Sequence, residues 1–473
     1  MDCEKETLSQ EIATSQVEAA NQPCPTELRR LLRKIDLRVI PILALLYFLS
    51  FLDRGNIGNA EIQGLSTDLN LVGNQYNWCL TIFFFPYSFF EPLCNLLLVR
   101  FKPSIWLPSI MVAWGVVTTL LGIVQNYSGL LAARFFLGLA EGGLFPGLAF
   151  YVSLWYPRAN AQFRLALIFA SASMAGAFSG LLAFGISKMD GVGGLEGWRW
   201  IFILEGLLTV VCAVLAFFLV WDEPATATFL SDREKAIIID LLADSRVSPS
   251  EGQLEEKSAF DWKQFMAAVL DWQTWLHTIS YWGVAVAVYA LSLFLPTIIK
   301  GLGYSSAIAQ LLTIPVYAAA SIACIAVGYF SDRMGQRSLF TLFCYGAVFV
   351  GFLIAVAPSR FIPGLTYAGC FIAASGSYPA TKRAVGMAIQ IGIGSLGGAA
   401  ASNFYKKTDA PRYRLGHSLV LAFVALGFLT VVLYYFLCRR INAKRDRGQA
   451  TASQNQDGIF EMGDKAPTFR YNL

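Results

Sequence analysis

The sequence predicts an all-α membrane protein of about twelve transmembrane helices in two six-helix bundles, and three observations carry that expectation. Of 473 residues, 56% are hydrophobic and only 14% charged, against about 25% charged in an ordinary soluble domain; the mean hydropathy is +0.53. Apolar runs of about twenty residues, each long enough to cross roughly 30 Å of hydrocarbon, recur from Val39 to Cys438. A polar stretch near the middle divides these runs six and six.

In chain order, residues 1–34 form a polar tail with Glu4, Glu6, Glu11, Glu18 and Glu27 and no apolar segment of the signal-peptide kind. Spans are expected near 39–60, 76–99, 105–124, 129–154, 164–187 and 199–221, setting a first bundle at 35–221. Residues 222–273 make a central loop, where Ser231 and Glu234 have capping-box spacing ahead of Ile237, Ile238, Leu241 and Leu242; a surface helix is expected there. A second bundle, 274–438, holds spans near 274–298, 308–330, 338–357, 361–380, 383–405 and 417–438, and residues 439–473 form a second polar tail. The tenth span is expected to be shortened, because Pro363, Gly364, Gly376 and Pro379 argue against one continuous helix between Arg360 and Lys382.

Basic residues mark alternate connections, among them Arg29, Arg30, Arg100, Lys102, Arg158, Arg164, Arg333, Arg337, Lys382, Arg383, Arg439 and Arg440. Both tails are therefore expected in the cytosol, with the plasma membrane as the site. The connection 406–416 breaks the pattern, since Lys406, Lys407, Arg412 and Arg414 fall on the outer side. Basic residues lie in short clusters and the net charge is +4, which argues against nucleic acid as a partner. The nine cysteines are scattered singly, as small buried hydrophobes are. The two histidines, His277 and His417, stand in no HExxH or H-x4-D arrangement, so no metal, cofactor or enzymatic site is expected. Asn126-Tyr127-Ser128 is a glycosylation sequon on a short outer loop.

Between the eighth and ninth spans runs Gly328-Tyr329-Phe330-Ser331-Asp332-Arg333-Met334-Gly335-Gln336-Arg337. It resembles the signature loop of the major facilitator superfamily, and the six-plus-six plan agrees with that fold. In such a loop Gly328 permits close helix approach, Asp332 and Arg333 pair at helix ends, and Gly335 makes a tight turn, with Arg337 completing the motif. In the corresponding loop of the first half, Asn95 to Pro103, only Arg100 survives.

Three further stretches narrow the resemblance: Leu52-Asp53-Arg54-Gly55-Asn56-Ile57-Gly58-Asn59-Ala60, Ala133-Arg134-Phe135-Phe136-Leu137-Gly138-Leu139-Ala140-Glu141-Gly142-Gly143, and Gly197-Trp198-Arg199-Trp200-Ile201-Phe202. Together with Ser292 to Tyr304 and Asp409 to Tyr413 they resemble the anion:cation symporters, specifically the fungal allantoate permease branch. The resemblance implies proton-coupled uptake of a small organic anion such as allantoate, ureidosuccinate, nicotinate, pantothenate or biotin, by a monomer drawing on the proton gradient. Related vesicular glutamate and sialic acid carriers use a basic residue of the first span and an Arg and Glu of the fourth, which match Arg54, Arg134 and Glu141. Their second-span histidine and seventh-span arginine fall near Leu80 and Tyr281, so binding should lean on the first half. Family members continue for a further dozen or so residues after the tenth-span S-x-Y-P, whereas here Ser377-Tyr378-Pro379-Ala380 meets Thr381-Lys382-Arg383 directly. That departure leaves an inactive or truncated variant as one alternative; a sensor on the same scaffold and an efflux pump for a metabolite or drug are separate alternatives.

A charged side chain at bilayer depth costs at least about 2.5 kcal/mol and asks for a partner, water or a ligand. Arg54 and Arg134 are the expected anion binders, since a guanidinium keeps its charge and forks onto a carboxylate; Asn56, Tyr289 and Gln390 are polar groups that could line the cavity with them. Glu141, Asp53 and Glu91 are the candidate proton carriers, because a carboxyl group can be neutralised by one proton. Arg134 and Glu141 lie on one helix face but about 10.5 Å apart along the axis, too far to neutralise each other. Pairing of Arg54 with a neighbouring acid is the competing structural reading. Glu205 is read as structural, and Tyr317 and Asn403 as further cavity candidates.

Overall fold

Apolar runs in lipid satisfy their backbone donors and acceptors internally only as helices or closed barrels, and this chain forms helices. The computed structural model describes residues 25–98, 100–246, 266, 270–334, 337–356, 363–380 and 388–449. The helices are α1 (Pro25–Ile62), α2 (Leu65–Asp68), α3 (Gln75–Leu98), α4 (Pro103–Leu121), α5 (Tyr127–Glu141), α6 (Leu144–Trp155), α7 (Arg158–Ile186), α8 (Gly197–Leu219), α9 (Asp232–Arg246), α10 (Trp272–Gly301), α11 (Ser306–Met334), α12 (Arg337–Val356), α13 (Pro363–Ala380), α14 (Ala388–Ala401) and α15 (Arg414–Gln449). Nine stretches among the described residues are long and apolar enough to cross a bilayer. Helix α3, which carries Glu91, and the shorter α13 and α14 complete the twelve segments.

Two spans differ from expectation. The fourth is not one helix but two, α5 and α6, interrupted at Gly142 and Gly143. The tenth, α13, is continuous in spite of its prolines and glycines: Pro363 occupies the first helical position, where a missing N–H costs nothing, and Pro379 lies at the other end. Its 18 residues reach about 27 Å. Helix α14 is described over Ala388–Ala401, and residues 383–387 of the expected eleventh span lie outside the described residues.

Within the first half α1 packs on α7, α3 on α5 and α4 on α8; within the second, α12 packs on α13, and α10 on α14 and α15. The halves meet along three seams: α7 on α11, α3 on α14 and α1 on α10. At the membrane face away from the chain ends, called distal here, polar contacts tie these seams together. Lys407 Nζ lies 2.8 Å from Glu61, and Lys300 Nζ and Ser306 Oγ each donate to the Ile62 carbonyl at 2.8 Å. Asn77 Nδ2 donates to the Ser402 and Tyr405 carbonyls at 2.5 and 3.3 Å. The absence of a side chain at Gly180 lets α7 touch α11 directly, because a Cβ there would stand 2.3 Å from Thr313 Oγ1. The distal face is closed. The misplaced basic loop thereby finds a use: Lys407 spends its charge across the seam on Glu61.

The central loop forms the expected surface helix, α9. Its capping box is complete, with Ser231 N donating to Glu234 Oε2 at 2.8 Å and Glu234 N to Ser231 Oγ at 3.3 Å, while Ile238 and Leu242 are buried. Lys34 Nζ, 2.6 Å from Glu234, and Arg233, 3.2 Å from Glu27, fasten α9 to the start of α1. The Lys34 ammonium holds the Glu234 carboxyl below the usual carboxylate range. With a folded-state value below the unfolded one, this contact is present above the ordinary glutamate range and is lost only as pH falls below it.

Two outcomes follow for the distal seam, each read as the labelling rate of a cysteine placed at Thr297 by an impermeant maleimide applied from that face. Lys407→Ala raises the rate about two- to fivefold, the scale of a partly exposed ion pair. Gly180→Leu raises it more, since the added side chain wedges α7 from α11; an unchanged rate in both variants would refute the seam as a closure.

Candidate functional site

Ser50 and Arg54 are four residues apart on α1 and so share one face. That face meets the end of α5, where the helix stops at Glu141 and the bare backbone of Gly142 lies against α3; a Cβ there would come within 2.9 Å of the Tyr87 carbonyl. The three side chains converge. Arg54 Nε donates to Glu141 Oε1 at 2.8 Å, its Nη2 lies 2.7 Å from the same oxygen, and Ser50 Oγ donates to it at 2.5 Å. Glu141 Oε2 has no hydrogen-bond partner among the described residues. Arg54 Nη1 reaches across the seam to Tyr289 on α10 at 3.3 Å. Its guanidinium carbon lies 4.9 Å from the ring centres of Phe51 and Tyr87 and 5.5 Å from Phe83, contacts each worth about 0.5–2 kcal/mol.

The guanidinium forms part of the wall of a recess between the two halves. Rings dominate the rest of that wall, with Tyr47, Tyr87, Phe169, Tyr281 and Tyr289 set around Arg54, and Ser395 of α14 adding a hydroxyl. Such a wall offers one cation, several phenolic donors and flat apolar faces.

The other expected residues are placed differently. Asp53 turns away from Arg54 into the first bundle, where Trp114 Nε1 and Thr209 Oγ1 each donate to Oδ2 at 3.1 Å. Asn56 faces the same interior, donating to Glu205 Oε2 at 2.8 Å and accepting from Ser179 Oγ at 3.2 Å. It lines neither of the two recesses between the halves described here. Arg134 is buried, lines neither recess of the seam, and its Nε and Nη2 have no hydrogen-bond partner among the described residues. Glu91 is buried in α3 toward Gly392 of α14, and neither carboxyl oxygen has a partner among the described residues. Tyr289 lines the recess as expected, and Tyr317 lines a second one. Asn403 is engaged by Thr81 Oγ1 at 2.9 Å.

In the loop motif, Gly328 is buried and Arg333 exposed, as is Arg100 in the first half. Gly335 and the side chains of Asp332, Arg337 and Gln390 lie outside the described residues. Asn126 is exposed and caps α5, accepting from Gly129 N at 2.8 Å. Among the described residues the cysteines form no disulfide.

Reading the sequence residue by residue missed Ser50 and the ring wall. The i, i+4 spacing of Ser50 to Arg54 was available as a signal; the convergence of Tyr47, Tyr87 and Tyr281 was not, because these lie on three helices.

The model of the Major Facilitator Superfamily matches residues 43–402. Among similar proteins are the MFS-type transporter cnsO of Penicillium expansum, 34% identical over 94% of this chain and 90% of that protein, and the high-affinity nicotinic acid transporter of Saccharomyces cerevisiae, 32% identical over 94% of this chain and 84% of that one. Among solved structures, a bacterial homolog of the human lysosomal transporter Spinster, inward-facing and occupied, matches with a TM-score of 0.60 at 14% identity, covering 85% of this chain and 96% of that one. The Escherichia coli xylose transporter XylE, partially occluded and inward open, matches with a TM-score of 0.57 at 12% identity, covering 84% and 97%. With twelve segments in two halves closed at one face over a central recess, and a family match across most of its length, the chain belongs to the major facilitator superfamily.

Proposed function

We propose that this protein takes up a small organic anion, a carboxylate of the vitamin or nitrogen-source kind, together with a proton, by alternating access at the plasma membrane with both termini in the cytosol. This reading places it with the anion:cation symporters, near the fungal allantoate permeases. One observation carries it: a buried cation on the wall of the central recess is neutralised through a single oxygen of a carboxylate whose other oxygen has no hydrogen-bond partner among the described residues. The 32% identity to a nicotinic acid transporter supports the same substrate class.

In this mechanism the anion and Glu141 compete for Arg54. A proton taken up on Glu141 Oε2 cancels the carboxylate charge and weakens its hold on the guanidinium, which turns to the substrate carboxylate; Tyr289 donates to the same group from the other half. The substrate thereby replaces the countercharge that Arg54 needs at that depth. Loss of the proton on the inner side restores the ion pair and expels the anion. Arg134, with two nitrogens lacking hydrogen bonds, is the proposed second cation, met when the distal face opens. Asp53 and Glu91 are proposed as further proton carriers, each buried with an unpartnered oxygen. Gly328, Asp332, Arg333, Gly335 and Arg337, with Arg100, are the proposed gate on the face of the chain ends, assembling when the distal seam parts.

The test is uptake into proteoliposomes of labelled nicotinate, allantoate, pantothenate and biotin, with the outside acidified. The wild-type protein accumulates at least one of them, faster at lower external pH. Arg54→Gln lowers that uptake by more than about a hundredfold, the scale of losing a buried charge partner worth about 3–5 kcal/mol. Glu141→Gln retains exchange of labelled for unlabelled substrate but no longer accumulates it against a gradient. Unaltered transport of every acid in both Arg54→Gln and Arg134→Gln would sink the proposal.

A further inference from the structure

The recess at Arg54 has a neighbour. Phe51 and Ala172 stand in its wall and also in that of a second recess, set between α1, α7, α10 and α11. The two spaces therefore share part of a wall. The lining of the second is uncharged, and its polar members are Asn59 and Ser179 from the first half with Ser292 and Thr313 from the second, besides Tyr317.

A chain of hydrogen bonds leaves one end of the Asn59 amide over. Asn56 Nδ2 donates to Glu205 Oε2 at 2.8 Å. Asn56 Oδ1 then accepts from Ser179 Oγ at 3.2 Å, which uses the hydroxyl proton. Ser179 Oγ in turn accepts from Asn59 Nδ2 at 2.8 Å. Asn59 Oδ1 remains, with no hydrogen-bond partner among the described residues, on a residue only 3% exposed. A buried amide carbonyl in that state is destabilising until a donor reaches it.

We propose that the second recess is a distal subsite for the transported anion, and that it takes an uncharged N–H or O–H donor, an amide or hydroxyl, which bonds to Asn59 Oδ1. The proposal rests on the reading that a carboxylate binds at Arg54, and it names the other end of the molecule. Arg54 and Asn59 are five residues apart, about 7.5 Å along α1 and on different faces of it, so the two groups of the ligand are at least about that far apart. A second carboxylate meets no cation in this lining, and a plain hydrocarbon end leaves the carbonyl unfilled. The selectivity is for a monocarboxylate with a neutral donor at its far end. Because Asn59 and Ser179 come from one half and Ser292 and Thr313 from the other, such a ligand also bridges the seam that must part during transport.

Three ligands of matched length separate these cases: hexanoate, adipamate (6-amino-6-oxohexanoate) and adipate, titrated calorimetrically into the purified full-length protein in lipid nanodiscs. Adipamate binds roughly five- to tenfold more tightly than hexanoate, the scale of one added hydrogen bond, and adipate binds more weakly than either. In Asn59→Ala the preference for adipamate disappears while hexanoate affinity stays unchanged; Ser292→Val, which narrows the recess from the other half, removes the preference without touching the Asn59 network. Equal affinity of the wild-type protein for adipamate and hexanoate overturns the subsite, as does a preference that survives Asn59→Ala. Should none of the three bind, the carboxylate reading at Arg54 falls, and the subsite with it.

Discussion

The structure is organised around one guanidinium that cannot give up its charge at a depth where charge is costly. Arg54 is stabilised there by two kinds of contact. The Glu141 carboxylate supplies a countercharge, and three aromatic faces supply electron density without supplying a second anion. That division matters for the anion transport proposed above. A site neutralised by two fixed carboxylates would have no affinity left for an anion, whereas rings stabilise the cation and still leave it one charge to exchange.

Placing Glu141 beside Arg54 requires a break in the fourth span. Helix α5 ends there, and Gly142 and Gly143 let α3 close in from the side, with the Tyr87 carbonyl against one and Cys94 against the other. The same α3 carries Asn77 and Glu91 along its length toward α14, and so forms one of the seams between the halves. A single helix thus borders the recess, supports the ion pair and participates in the distal closure. A rearrangement at Glu141 is adjacent to backbone that must move if the halves are to rock.

The seams are built from small residues and from charges at the chain's turns. Gly180 removes bulk where α7 crosses α11, and Lys300 and Lys407 of the second half reach Ile62 and Glu61 of the first. Contacts of this kind are individually weak, about 1 kcal/mol or less where water reaches them. A closure assembled from several weak contacts can open without a single large barrier, which suits a protein that alternates between two states.

The twelve segments, the surface helix after Ser231 and the identity of the buried charges were legible in the amino-acid order, because each depends on local periodicity, spacing or the cost of charge in hydrocarbon. Even the interruption of the fourth span had its signal in the Gly142-Gly143 pair, although the pattern of apolar residues runs on through it. What the order of residues could not settle was partnership. Arg134 and Glu141 share a helix and were separable by arithmetic, but that Glu141 turns to Arg54, that Asn56 turns inward to Glu205, and that Lys407 crosses to Glu61 depend on which helix faces which. Those choices are made by packing between segments far apart in sequence, where side-chain direction and helix rotation decide whether a buried charge meets a partner, a ring or an open cavity.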